Sequence, residues 1–185
     1  MASHGKAQRT RERLVRAALD LCAAEGFENV SVGRIAEAAG VTEMTFYRNF
    51  PTKESVLLDD PFDPVIADAV VGQPAHLPAL AAVAAGVRSA WGAVETADLD
   101  VVRDRLGVVA QSPRLRGAMT QSTAATAASI GGALRARGAA APDAEIAAAA
   151  AVAALTAALM AWAQDDSTAL DTAIERALRI LEGER

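Results

Sequence analysis

Seven prolines, at positions 51, 61, 64, 74, 78, 113 and 142, divide most of the chain into blocks that hold only short runs of one structure each. Proline lacks a backbone donor and clashes with the preceding turn, so it ends or kinks a helix unless it stands in the first turn. Between these breaks, the segments at about 65–72, 77–95, 98–111 and 114–137 show no apolar–polar alternation of the kind a half-buried strand needs. Two more segments, 143–164 and 168–182, finish the chain. Ala, Leu and Val dominate all of them, aromatic residues make up only 4% of the sequence, and alanine and leucine favour helix. The expected fold class is therefore all-α, with about nine helices.

The N-terminal quarter has sharper signals. Residues 1–9 are polar and basic, with His4, Lys6 and Arg9, and read as a mobile arm. Leu14, Ala18, Leu21 and Cys22 then fall at helical spacing, with Thr10 as N-cap and Gly26 as the stop. Ser31 caps a second helix through Ile35 and Ala39 to Gly40, and Thr42 a third to about Asn49, where Phe50 and Pro51 end it. Two short helices joined by a glycine turn form a helix-turn-helix. A fourth helix is expected to start near Lys53 and to break around Asp59 to Asp63 at Pro61 and Pro64. The chain thus divides into a helix-turn-helix DNA-binding domain over 1–58 and a second helical domain over 59–185.

Charge agrees with that division. The whole chain carries a formal −5, but residues 1–55 hold eight Lys/Arg against seven Asp/Glu, leaving ten against sixteen for the remainder. The acidity lies outside the head, and charge effects fade over about 8–10 Å at physiological salt. The single cysteine, Cys22, excludes an intramolecular disulfide, and no apolar N-terminal run resembles a signal peptide, so a cytoplasmic location is expected. Cys22 falls on the apolar stripe of helix 1 and reads as a buried, inert thiol. Ile146 to Ala163 is apolar apart from Thr156, yet it is alanine-rich and flanked by Asp143, Glu145, Asp165 and Asp166 in place of basic anchors; it is read as a packed helix, not a span. With two histidines far apart, His4 and His76, neither a metal site nor a catalytic dyad is expected, and no cofactor.

Residues 31–54 read SVGRIAEAAGVTEMTFYRNFPTKE. Ile35, Ala36 and Ala39 face the next helix, the two alanines small enough for a close crossing. Gly40 takes the left-handed turn, Val41 plugs the corner, and Phe46 and Phe50 put aromatic bulk on the inner side. Glu43, Met44, Tyr47 and Arg48 are left pointing outward. This segment, with helix 1, resembles the DNA-binding region of the tetracycline-repressor (TetR) family over roughly residues 10–58. The resemblance implies that the helix beginning at Thr42 enters the major groove, with Thr42, Thr45 and Tyr47 on phosphates or base edges and Lys53 on a phosphate. Arg34, Arg48 and Asn49 complete the expected DNA-facing set. Three positions depart from the family pattern: Glu43 stands where a basic residue is commoner, Met44 where a small one is, and Asn49 where a ring is. A carboxylate at Glu43 is repelled by phosphate but can accept from cytosine N4, and Met44 can touch a thymine methyl.

Eleven of the eighteen residues from Ala144 to Ala161 are alanine, which suits close helix packing. Helices 143–164 and 168–182 resemble the pair that forms a four-helix bundle between TetR-type subunits, with Leu170, Ile174, Leu178 and Leu181 as the apolar stripe of the second. A homodimer with twofold symmetry would set two recognition helices about 34–36 Å apart and read a palindromic operator. The larger apolar residues Trp91, Leu106, Val109, Leu115, Met119, Ile130 and Trp162 are candidates for lining an effector pocket. The segments VVRDRLGVVAQSPRLRGAMTQS and ALMAWAQDDSTALDTAIERALRIL resemble a subfamily associated with acyl-coenzyme-A-like ligands. Such a ligand, or a fatty acid, would find basic groups in Arg103, Arg105, Arg114 and Arg116. The expected function is a ligand-responsive regulator of transcription, a repressor released by a partly apolar effector, with helix 4 as the lever between domains. Rival readings are a DNA-binding protein without an effector, an activator, and a small helical enzyme, for which the sequence offers no triad or ligand cluster.

Overall fold

The computed structural model describes residues 2–59, 63–92, 97–165 and 167–183, with backbone alone at 2–4, 6, 63, 64, 97 and 98. Ten α-helices and one 3-10 turn make up its regular structure, and there is no strand among the described residues. Helix α1 (Ala2–Glu25) is followed by the 3-10 turn Phe27–Asn29, α2 (Val32–Ala38), α3 (Glu43–Asn49) and the single turn α4 (Ser55–Leu58). Then come α5 (Asp63–Val71), α6 (Ala79–Trp91), α7 (Ala97–Gln111), α8 (Pro113–Ala136), α9 (Ala141–Trp162) and α10 (Leu170–Glu182).

Two expectations are corrected. Residues 2–9 are the first turns of α1, not an arm, so Thr10 lies within that helix instead of capping it. Lys, Gln and Arg are good helix formers, and Gln8 Nε2 donates to Glu12 Oε1 (3.0 Å) one turn on, carrying the helix across Thr10. The side chains of His4 and Lys6 lie outside the described residues. The fourth helix is a single turn that starts at Ser55, two residues beyond Lys53. Thr52 and Ser55 cap it reciprocally: Ser55 N–H donates to Thr52 Oγ1 (3.1 Å) and Thr52 N–H to Ser55 Oγ (3.2 Å). At Asp59 the backbone turns extended, while residues 60–62, with Pro61, lie outside the described residues. The ends of two expected features, 93–96 and Asp166, lie outside them as well.

The chain divides into two compact units, Met1–Asp59 with Asp100–Met119 and Asp60–Leu99 with Thr120–Arg185. The first unit thus holds more than the helix-turn-helix, because most of α7 and the start of α8 join it. Its core runs from Leu14, Ala18 and Cys22 of α1 through Phe27, Ile35, Phe46, Phe50 and Val56 to Val109 and Leu115. Buried apolar area of this kind contributes about 25 cal/mol per Å2, and it unites segments more than fifty residues apart.

In the second unit α9 packs against α10 and α6, and α5 against α6. Ala144, Ala147, Ala148 and Ala151, with Val152 and Trp162, form the buried stripe of α9, and at the alanines, where no side chain extends past Cβ, neighbouring helices can approach closely. By length and composition α9 could cross a membrane; here one stripe is buried among helices and Ile146 is exposed. Arg88 fastens α6 to α10 with a fork to Glu175 (2.9 and 3.0 Å) and a second to Glu182 (3.1 and 2.7 Å). Hydrogen bonds from Arg88 hold the Glu175 carboxyl below its ordinary value. Arg137, past the end of α8, donates to the carbonyls of Val70, Gln73 and Pro74 and so fixes the α5–α6 loop.

A Cβ at Gly86 would lie 2.6 Å from Val70 Cγ2 and 2.9 Å from the Val70 backbone, so α5 and α6 cross where only glycine fits. Gly86→Ala should lower the unfolding free energy by about 1–3 kcal/mol in urea denaturation, even though alanine is the better helix former. Cys22 is 3% exposed, and burial pushes its thiol up to about 11. At pH 8 it should stay unreacted with Ellman's reagent in the native protein and titrate fully after denaturation.

Candidate nucleic-acid interface and ligand cleft

The helix-turn-helix is set by local bonds. Ser31 Oγ accepts from the Arg34 N–H (3.3 Å) at the start of α2. At its end Gly40 has φ +66°, and the Val41 N–H returns to the Ala36 carbonyl (2.9 Å). A residue with a Cβ is strained at that angle, which fixes where the chain turns. Thr42 Oγ1 then accepts from the Thr45 N–H (3.2 Å) and lies 3.1 Å from Thr45 Oγ1, capping α3.

The inner side of α3 is aromatic. Phe46 and Phe50 are buried with centroids 5.7 Å apart, and Tyr47 meets Phe46 edge-on at 5.5 Å. The outer side is open: Met44 is 74% and Tyr47 51% exposed, and Thr42, Glu43 and Arg48 are exposed with them. Large apolar side chains held in water on a short helix cost free energy that a partner surface would recover.

The other expected contact residues face protein groups. Arg34 pairs through both terminal nitrogens with Glu25, one contact 2.7 Å and the other shorter, and these bonds hold the Glu25 carboxyl below its ordinary value. Lys53 Nζ donates to the Phe27 carbonyl and lies 4.0 Å above the Phe27 ring; burial holds its amine below the usual lysine value. Asn49 Nδ2 donates to the Thr45 carbonyl (2.7 Å).

Arg11, which sequence reasoning did not separate from its arginine neighbours, is the clamp of the unit. Its guanidinium donates to the Asn49 carbonyl (2.8 Å) and Asp59 Oδ2 (2.9 Å) and stacks 4.2 Å from the Phe50 ring. Its spacing on α1 showed only that it avoids the apolar stripe.

The corner between α7 and α8 braces the same unit. Buried Ser112 donates from Oγ to Glu28 Oε1 (2.6 Å) and accepts from the Leu115 N–H (3.1 Å), so one hydroxyl caps α8 and holds the 3-10 turn. The bond from Ser112 is the main cause of a lowered Glu28 carboxyl. Arg114 Nε donates to Glu54 Oε1 (2.5 Å), Arg105 to the Asp59 carbonyl (3.1 Å) and Arg116 to the Ala110 carbonyl (2.6 Å). Arg105, Arg114 and Arg116, expected at a pocket mouth, are thus bonded within the first unit, where Arg103 is half-buried too.

The apolar pocket candidates divide between the two units. Val109 and Leu115 belong to the first unit's core, with Met119 packed against it, and Leu106 is half-buried in the same unit. Ile130 and Trp162 are buried in the second unit, where Trp91 is half-buried. That unit holds a cleft of about 450 Å3 between α8 and α9, lined by Thr120, Thr123 and Ala127 on one side and Val152, Thr156 and Met160 on the other. A second hollow of about 460 Å3 lies at the α8–α9 turn beside Leu77, Leu134 and Arg137. None of the eight expected ligand residues lines either one. The cleft's lining is alanine and threonine with few large side chains, a composition that periodicity alone does not flag. No group of three or more His, Cys, Asp or Glu placed to hold a metal occurs among the described residues.

Comparison with known proteins accords with this architecture. Residues 14–59 match the family described as bacterial regulatory proteins, tetR family, and residues 77–185 match the MftR C-terminal domain. The HTH-type transcriptional regulator TcmR of Streptomyces glaucescens is 37% identical over 99 residues, covering 52% of this chain and 44% of that protein. The chain therefore spans less than half the length of that curated relative. Among solved structures, SmeT, the repressor of the Stenotrophomonas maltophilia multidrug efflux pump SmeDEF, is similar with TM-score 0.57 at 19% identity, over 94% of this chain and 88% of that one. NalD, the secondary repressor of the MexAB-OprM multidrug efflux pump in Pseudomonas aeruginosa, is similar with TM-score 0.56 at 20% identity, over 97% and 96%. At such identities the likeness is one of fold. With the C-terminal match alone covering more than half of its residues, the chain belongs to the TetR family of bacterial transcriptional regulators and is a DNA-binding protein with a C-terminal domain of the MftR type.

Proposed function

We propose that the protein is a homodimeric repressor, working in the cytoplasm, that binds a palindromic operator through α3 and is released by a small, partly apolar effector. The observation that carries the reading is the outer face of α3, where Met44 and Tyr47 stand in solvent on a helix whose other side is fixed by Phe46 and Phe50. In this reading Met44 and Tyr47 read base edges, and Thr42, Thr45 and Arg48 meet phosphates. Arg34, Asn49 and Lys53 contribute by holding the helix-turn-helix in shape.

The dimer is proposed to form through α9 and α10. Ala150 and Ala161 are exposed along α9 with Ile146, outside the lining of the α8–α9 cleft, and Ile180 is 65% exposed on α10. Such faces let a second pair of helices approach closely. The effector is proposed to enter the α8–α9 cleft, whose volume is within the usual range for small-ligand sites and whose polar groups are chiefly hydroxyls. An acyl chain, from a fatty acid or an acyl-coenzyme A, suits that lining. Its binding would favour a dimer whose heads are wrongly spaced for the operator, and by linkage would weaken DNA affinity.

Double-stranded DNA selected from a random library by fluorescence anisotropy should be palindromic. Tyr47→Ala and Met44→Ala should each weaken its binding by about tenfold or more, as expected of single base or phosphate contacts, with unchanged melting temperature. Lys53→Ala should lower both affinity and melting temperature, because it strips the Phe27 ring and carbonyl of their partner. A non-palindromic winner, or affinity indifferent to both α3 substitutions, would sink the operator reading. For the effector, lauric acid or lauroyl-coenzyme A should raise the melting temperature and lower DNA affinity, and Ala127→Phe, which fills the cleft, should abolish both effects while leaving DNA binding intact. Effects that persist in Ala127→Phe would place the effector elsewhere.

A further inference from the structure

Glu43 poses a problem for the DNA-binding face. It is the first residue of α3, exposed, and a carboxylate there would confront phosphate at short range. The structure folds it back towards α2. The point where a Cβ of residue 33 would stand is 2.5 Å from Glu43 Oε1 and 3.5 Å from Glu43 Cδ, with Ser31 Oγ 3.8 Å away. The carboxylate thus occupies the volume that every residue except glycine would fill.

Gly33 has no backbone reason to be glycine. It lies inside α2 without the positive φ found at Gly26, Gly40, Gly138 and Gly183, and alanine would be the better helix former. What it supplies is room. Arg34, the next residue along α2, is engaged with Glu25.

We infer that Gly33 is a positioning residue for DNA binding: the missing side chain gives Glu43 a recess on α2, which withdraws the carboxylate from the phosphates and leaves Met44 and Tyr47 as the foremost groups of α3. This rests on the reading of α3 as the DNA-contacting helix. It also accounts for an acidic residue at a position where a cation is expected. The recess is a steric permission rather than a bond, so the contact is undone by a single methyl group.

The test is a double-mutant cycle on the full-length protein, read by anisotropy on its selected operator. Gly33→Ala should weaken binding about three- to tenfold at low salt, the scale of one exposed charge, and the deficit should shrink as salt rises. Glu43→Gln in the Gly33→Ala background should restore most of the affinity. The melting temperature of Gly33→Ala should be equal to or above that of the parent, so a folding defect predicts the opposite sign. Unchanged affinity in Gly33→Ala, or an equal loss in Gly33→Ala and Gly33→Ala/Glu43→Gln, would overturn the inference. Tyr47→Ala separates this failure from failure of the α3 reading: if it still weakens binding, only the role of Gly33 is lost; if it has no effect, the face itself was misassigned.

Discussion

The burial of Phe46 and Phe50 in the core of the first unit is the constraint on which that unit depends. α3 has seven residues, too few to persist as an isolated helix, so its shape comes from packing. Two rings four residues apart point one side inward and thereby define the other as a surface. Arg11 completes the arrangement by covering the Phe50 ring and tying the end of α3 to Asp59, while Lys53 covers Phe27 in the same way. Two cations thus close the rim of an aromatic core, where a flat guanidinium or an ammonium meets both a ring face and a carbonyl.

The α7–α8 corner adds a second layer. Ser112, Arg105 and Arg114 reach Glu28, Asp59 and Glu54, three points that flank the helix-turn-helix in sequence. Helix α8 starts in this unit and runs on into residues of the other, so a change in the cleft that α8 lines acts on a helix whose first turn is bonded to the DNA-binding unit. On the proposed reading, this corner, as well as the single turn of α4, would serve as a route for coupling.

What could be read in the sequence was mostly local. Ser31, Gly40 and Thr42 reveal caps and a turn because their chemistry acts within four residues, and the helical segments after residue 63 follow from prolines and composition. The aromatic inner side of α3 follows from a spacing of four. Partners at long range were hidden. Periodicity marks Val109 and Leu115 as buried, yet nothing in it tells a ligand pocket from the core around Leu14 and Phe27. The exposed-looking positions of Arg11, Arg34 and Lys53 likewise gave no sign that each has a carbonyl or carboxylate within reach. The start of α1 was misplaced because a good capping residue, Thr10, is also tolerated inside a helix whose neighbours are strong helix formers.

The internal engagement of these cations has a kinetic consequence. Arg11, Arg34 and Lys53 are three of the eight basic residues in the first 55, and each is bonded to the protein itself. Each cation withheld from phosphate is one fewer counterion displaced when the head settles on arbitrary duplex. On the proposed reading, a head built this way would hold non-operator DNA less tightly than one whose cations all faced phosphate, and so would slide over shorter tracts between encounters.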